Sequence, residues 1–146
     1  RGLLVTALAP DEILTAIEVP PQGPGWGFVE IARRPGDFAL AGVIAVVRGD
    51  RPLTLPSPPR EGEGDPIRIV GFGLGDRPIR LESAERALAS AALDVESAAR
   101  AGAAAGPDCD PPGDVHGSAD YRRHLATVLT ERALLQARAR LAGAPR

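Results

Sequence analysis

Residues able to do chemistry are few in this sequence, and the densest group is Arg33-Arg34-Pro35-Gly36-Asp37. Two guanidiniums and one carboxylate flank a Pro-Gly pair, whose preset φ and conformational freedom favour a tight turn. Apolar segments lie on either side, so the charges are displayed on a short loop between strands, where functional groups are often carried. Two readings stay open. In one, Asp37 caps the turn and pairs with an arginine as a weak surface ion pair; in the other, the group offers its charges to something outside. Gly71-Phe72-Gly73-Leu74-Gly75 has the spacing of a phosphate-cradling loop, but Asp76-Arg77-Pro78 follow it. No helix is predicted where a pyrophosphate would need a helix N-terminus. His116 and His124 have no spacing that would join them on a metal, and neither has a nucleophile partner. Asp11-Glu12 and Glu61-Glu63 lie on turns or polar stretches that suit solvation rather than paired acid–base work. Cys109 is the single cysteine, which excludes an internal disulfide and a multi-cysteine metal site. Placed in a polar Pro/Asp loop, it reads as an incidental thiol. No catalytic residue and no metal ligand is assigned.

The elements that must position the charged corner follow from periodicity. Residues 13–19 alternate, with Ile13, Thr15, Ile17 and Val19 on one side, and predict a strand closed by Pro20-Pro21. Before it, Pro10-Asp11-Glu12 predicts one helical turn. Residues 27–32 form a second strand. Residues 38–47 form a third, a continuous apolar run that suits burial on both faces or nearly so. Residues 52–65, PLTLPSPPREGEGD, hold nothing that could fill a core. A disordered insertion is therefore expected over 50–66, with a polyproline ligand as the alternative. Residues 67–74 resume as a strand. Ser83 is placed as the N-cap of a helix running to about Ala105, with Leu88, Ala91, Ala92, Val95 and Ala99 on its apolar face. Ser118 caps a last helix to about Leu141, whose apolar face is Tyr121, Leu125, Val128, Leu129 and Leu135, with Arg122 and Arg123 outside it.

The length of 146 residues suits one domain, 1–146, with one core. Only 3% of residues are aromatic, so the 44% that are hydrophobic must build that core from Ala, Leu, Val and Ile. All 17 basic residues are arginine, and lysine and methionine are absent, a composition in keeping with a GC-rich bacterial genome. A net charge of −2 gives no reason to expect nucleic acid or an anionic membrane as partner. No apolar run approaches the roughly 20 residues that span a bilayer, and no secretory signal pattern opens the chain, so a cytoplasmic setting is expected. Beginning on Arg-Gly-Leu-Leu without Met, the sequence reads as a piece of something longer.

Four stretches lie in the same order across most of the chain: TALAPDEILTAIEVP from Thr6, ARRPGDFALAGV from Ala32, GFGLGDRPIRLESAERAL from Gly71 and DVHGSADYRRHLATVLTERAL from Asp114. Together they resemble the C-terminal domain of the FAD-binding subunit of molybdenum hydroxylases, the family of the xanthine dehydrogenases and the aerobic carbon monoxide dehydrogenase medium subunit. The resemblance implies an α+β sandwich, a small, mainly antiparallel sheet of three or four strands with helices on one face. It implies a share in a multi-subunit FAD-dependent oxidoreductase, in which FAD passes electrons from [2Fe-2S] clusters to an external acceptor. The clusters and the molybdenum cofactor would belong to partner subunits, the iron–sulfur and molybdopterin subunits. Most FAD contacts would come from an N-terminal FAD-binding region that this sequence lacks. Leu8 matches a position close to the isoalloxazine, and Arg33, Arg34 and Asp37 match a mobile charged loop at the flavin's edge. Tyr121-Arg122-Arg123 matches the family's aromatic-Arg-Arg helix start, with a structural role. Mammalian xanthine dehydrogenases carry a lysine just before the charged loop; Val29-Glu30 stand here instead, which argues against NAD as acceptor. The alternative is a non-catalytic α+β interaction or assembly domain without flavin chemistry.

Overall fold

The apolar run after the charged corner becomes the second strand of a four-stranded antiparallel sheet ordered β1-β2-β3-β4. The computed structural model describes residues 6–18, 23–48, 67–89 and 92–143. The insertion expected over 50–66 lies outside them. Strands β1 (Trp26–Ala32), β2 (Ala39–Val47) and β3 (Ile67–Phe72) form a meander, and β4 (Ile79–Arg80) adds two residues at one edge. Helices α1 (Glu82–Leu88), α2 (Val95–Ala104) and α3 (Ala119–Gly143) follow, with a single 3-10 turn at Gly106–Asp108. The α+β architecture expected from the sequence is therefore the one observed.

Helix α3 packs on β1 and β2, α2 on α3, and α1 on α2 and β3. The inward face of β2, Ala41, Val43, Ala45 and Val47, is buried, and Leu125, Ala126, Leu129, Ala133, Leu134 and Ala137 of α3 belong to the same core. Small residues let the layers approach closely. A Cβ added at Gly27 would lie 1.9 Å from the Ala133 carbonyl oxygen, so β1 and α3 touch backbone to backbone there. The free edge of β1 is occupied by α3 side chains. The Phe28 amide donates to Gln136 Oε1 at 2.9 Å. Arg140 donates to the Trp26 carbonyl and places its guanidinium carbon 3.6 Å from the Trp26 ring centre. Edge groups occupied in this way are closed to pairing with another chain. Among the described residues, no helix is long and apolar enough to cross a membrane.

Several expectations are corrected. Residues 13–18 form no strand: Ile13 is 85% and Ile17 77% exposed, and the segment pairs with nothing in the sheet. Alternation needs a surface against which to bury one side, and the described residues supply none. Strand β2 is buried on one face only, since the helices cover one side and Ile44 remains exposed on the other. Its outward face is partly roofed by Phe72, which lies over Gly42 and stacks with Phe28 at 5.7 Å between ring centres. The single helix expected from Ser83 to Ala105 is two helices. Leu81, not Ser83, stands at the start of α1, and Asp108 from the 3-10 turn caps its first turn, accepting from Ser83 N and Ser83 Oγ at 2.7 Å each. Asp94 begins α2 with a reciprocal capping box to Ser97. Leu93, in the break, is buried in the same core as Leu88, and the buried face of α2 is Ser97, Ala98, Ala101 and Gly102. On α3, Ser118 Oγ accepts from Tyr121 N at 3.1 Å, as an N-cap should. Leu125 and Leu129 of the expected face are buried, but Tyr121 is exposed and Arg122 buried, so those two exchange places.

Candidate functional site

The corner between β1 and β2 is built as its residue types require. Asp37 N donates to the Arg34 carbonyl at 3.1 Å, closing the turn, and Gly36 takes a φ of 81°, where other side chains are strained. Asp37 then divides its carboxylate. Oδ1 accepts from Phe38 N at 2.9 Å, and Oδ2 accepts from Arg33 Nη2 at 3.3 Å. Both partners of that pair are partly exposed, with 47% of the Arg33 and 32% of the Asp37 side chain open to solvent. Arg34 is exposed and has no ion pair or hydrogen bond from its guanidinium among the described residues. Two guanidiniums against one carboxylate leave an uncompensated positive charge at the tip. Beside it, Phe38 is 95% exposed. Asp37 caps the turn and pairs with Arg33, as the first of the two readings drawn from the sequence has it, while the Arg34 side chain stays exposed beside them.

What holds the root of this corner comes from far away in the sequence. Gly73, at a φ of 68°, closes the turn between β3 and β4 directly beneath the start of β2. A Cβ there would lie 3.0 Å from the Ala39 carbonyl oxygen and 3.1 Å from that of Leu40. Arg122, from the first turn of α3, donates through Nη1 to the Leu40 carbonyl at 2.7 Å and more distantly to that of Gly73 at 3.5 Å. Its Nη2 donates to Asp114 Oδ2 at 2.7 Å. Asp114 is itself fixed, its Oδ1 accepting from His116 N at 2.8 Å and Gly117 N at 3.0 Å. Those contacts, led by the His116 amide, hold the Asp114 carboxyl below the usual carboxylate range.

The resemblance implied a structural role for Arg122, but the periodicity left it outside the apolar face, so its burial and its partners were missed. One buried stripe of α3 runs Arg122, Ala126, Leu129 and Ala133, at helical spacing, beside the equally buried Leu125. Alanines give that stripe a weak hydrophobic signal, so the expected face took in Tyr121 and left out Arg122. An arginine in line with Leu129 was the available clue.

The other candidates stay apart. Leu8 is 41% exposed, and its amide donates to Thr6 Oγ1 at 3.2 Å. Among the described residues, the hydrogen bonds of residues 6–18 are internal to that segment, so nothing ties Leu8 to the corner. Cys109 follows the 3-10 turn in a loop, as expected, but it is buried against the core and donates to the Ala105 carbonyl at 3.4 Å. Burial, with Asp108 adding to it, pushes its pKa up to about 11, so it is inert as a nucleophile near neutrality. Residues 71–75 run into a turn and then β4, so no helix N-terminus stands where a pyrophosphate would lie. Among the described residues no three His, Cys, Asp or Glu side chains gather as a metal site. An open cleft of about 360 Å³ lies beside Ile67, Arg80, Glu85 and Leu88. Ile67 pairs with Val47, the far end of β2 from the corner, so this hollow and the charged loop are separate features.

The family model described as the CO dehydrogenase flavoprotein C-terminal domain matches residues 26–137. The nicotine 6-hydroxylase medium subunit of Paenarthrobacter nicotinovorans is 34% identical over 139 residues, covering 95% of this chain and 46% of that protein. The carbon monoxide dehydrogenase medium chain of Afipia carboxidovorans is 33% identical over 145 residues, covering 96% of this chain and 46% of its own length. Among solved structures, reconstituted CO dehydrogenase from Oligotropha carboxidovorans superposes with a TM-score of 0.73 at 32% identity, covering 96% of this chain and 46% of that one. The chain therefore spans somewhat under half the length of these relatives. With the meander, the one-sided helices and the charged β1–β2 corner, these matches settle its kinship: the chain belongs to the CO dehydrogenase flavoprotein C-terminal domain family.

Proposed function

We propose that this domain completes the flavin site of a multi-subunit molybdenum hydroxylase and governs how an external oxidant reaches the flavin. The observation that carries this reading is the corner itself, with Arg34 unpaired and exposed beside the Arg33–Asp37 pair. When bound, FAD supplies the redox chemistry, taking electrons from [2Fe-2S] clusters and releasing them to an acceptor. Those clusters and the molybdenum cofactor would be held by partner subunits, and most of the FAD by a region outside the 146 residues. Arg33 and Arg34 fit an edge contact: they place positive charge where a reduced flavin and an anionic oxidant both carry negative charge. Leu8, apolar and exposed, fits a contact with a flat ring once residues 6–18 are covered. A grip on the pyrophosphate does not fit the described residues, because the Gly71–Gly75 run ends in a turn followed by β4.

Titration of the isolated chain with FAD tests this division of labour. Flavin fluorescence should show no stoichiometric binding at micromolar concentration. Tight binding by the chain alone would place the cofactor's main contacts here and overturn the reading.

A further inference from the structure

Arg122 is the one charged residue buried among those described, with 8% of its side chain exposed. Burying a guanidinium is costly, and Arg122 Nε finds no hydrogen-bond partner among the described residues. An apolar side chain in line with Ala126 and Leu129 would fill the same volume without that cost, and such replacements are often neutral or stabilising. What an apolar residue could not do is join three chain segments through a rigid planar fork. Arg122 reaches Leu40 across 82 residues and Gly73 across 49, and anchors to Asp114 on its own side. Leu40 stands three residues after Asp37, at the root of the corner. The β1–β2 ladder, ending at Ala32 opposite Ala39, carries the turn that bears Arg34, and the Arg122 fork ties the β2 side of that ladder to the rest of the fold.

Given a corner that lies at the flavin's edge, as inferred above, we propose that Arg122 is a positioning residue for Arg34. Its fork fixes the β2 root and the β3–β4 turn together, and so fixes the point at which the corner presents positive charge to the oxidant.

Arg122→Lys keeps the charge but loses the fork, and belongs in the FAD-loaded flavoprotein that carries this domain. Reoxidation of the reduced flavin by ferricyanide, a multiply charged anion, should slow by about threefold or more, since small displacements of a positioned group are costly. Its salt dependence should flatten as the charge moves away. FAD content should hold, and backbone amides at Phe38–Leu40 should exchange hydrogen faster. In an Arg34→Ala background, Arg122→Lys should add less than about a twofold further loss, because contacting or coupled residues are not additive. The same factor with and without Arg34, or unchanged reoxidation, would make Arg122 a packing residue only. If Arg34→Ala alone leaves ferricyanide reoxidation unchanged, the reading of the corner fails, and the positioning role falls with it. If Arg34→Ala acts and Arg122→Lys does not, only the positioning role falls. Should Arg122→Lys prevent folding, Asp114→Asn loosens the fork from its outer side. The same dependence on Arg34 is expected of it, and plain additivity would again overturn the role.

Discussion

Two arginine–aspartate pairs stand at the corner end of the sheet, and they are held in opposite ways. Arg33 and Asp37 meet at 3.3 Å with both side chains substantially exposed, four residues apart on one loop. Arg122 and Asp114 meet at 2.7 Å with the arginine buried, and the same guanidinium bonds main-chain carbonyls of two other segments. Water screens the first pair, which can be remade or lost at little cost; in the second the guanidinium is shut away from water and makes several bonds at once, while 44% of the Asp114 side chain stays exposed. The contrast separates display from support. On the proposed reading, the loop that offers charge to an oxidant uses the weak pair, and the strong pair lies one layer beneath it.

The contrast would break first at Arg122. Arg122→Ala strands the Leu40 and Gly73 carbonyls and leaves Asp114 without its cation, which should cost about 2–4 kcal/mol in denaturant unfolding. A loss under about 1 kcal/mol would mean that water serves the two carbonyls equally well. Gly73→Ala should come next, at about 1–2 kcal/mol, because a positive φ is strained for alanine and its Cβ presses on the Ala39 and Leu40 carbonyls. A stabilised variant would show that the turn can relax without moving the root.

Acid should sharpen the comparison. Asp114 has its carboxyl lowered in the fold from an ordinary value of 3.8. Its contribution to stability is therefore complete above that value and is lost as pH falls through the lower folded pKa. Thermal melts between neutral and strongly acidic pH should show an acid-sensitive component that Asp114→Asn removes. An unchanged acid profile in that variant would place the loss elsewhere. The smallest effect should be that of Asp37→Asn, within about 0.5 kcal/mol of the parent, as for other exposed pairs. A larger loss in unfolding experiments would promote the corner pair from display to support.

Much of this arrangement was legible in the residues. Pro35-Gly36 marked the turn, the apolar run after it marked β2, and Ser118 marked the start of α3. What escaped were features set by partners distant in sequence. Asp108 caps α1 from 25 residues away, so Ser83 gave a false start. The capping box at Asp94 uses Ser97, a shorter residue than the usual Glu or Gln, and the surrounding alanines hid the helix break. Strand β4 is two residues long and exists through its pairing with β3. The alternation from Ile13 was real in sequence, but no described surface buries it. At the site, the corner's own pairing could be read from local spacing, whereas the clamp beneath it could not. Its four contributing segments meet only in the folded chain.

On the proposed reading, the corner's charge acts on an oxidant's approach. Stopped-flow reoxidation of the FAD-loaded flavoprotein by ferricyanide tests it directly, comparing the parent with Arg34→Ala and Arg34→Lys over a range of ionic strength. Slower reoxidation and a flatter salt dependence are expected for Arg34→Ala, with both restored by Arg34→Lys and with FAD content and melting temperature unchanged throughout. Unaltered reoxidation in Arg34→Ala together with a lowered melting temperature would contradict that reading, and would leave the arginine as a pin for the turn.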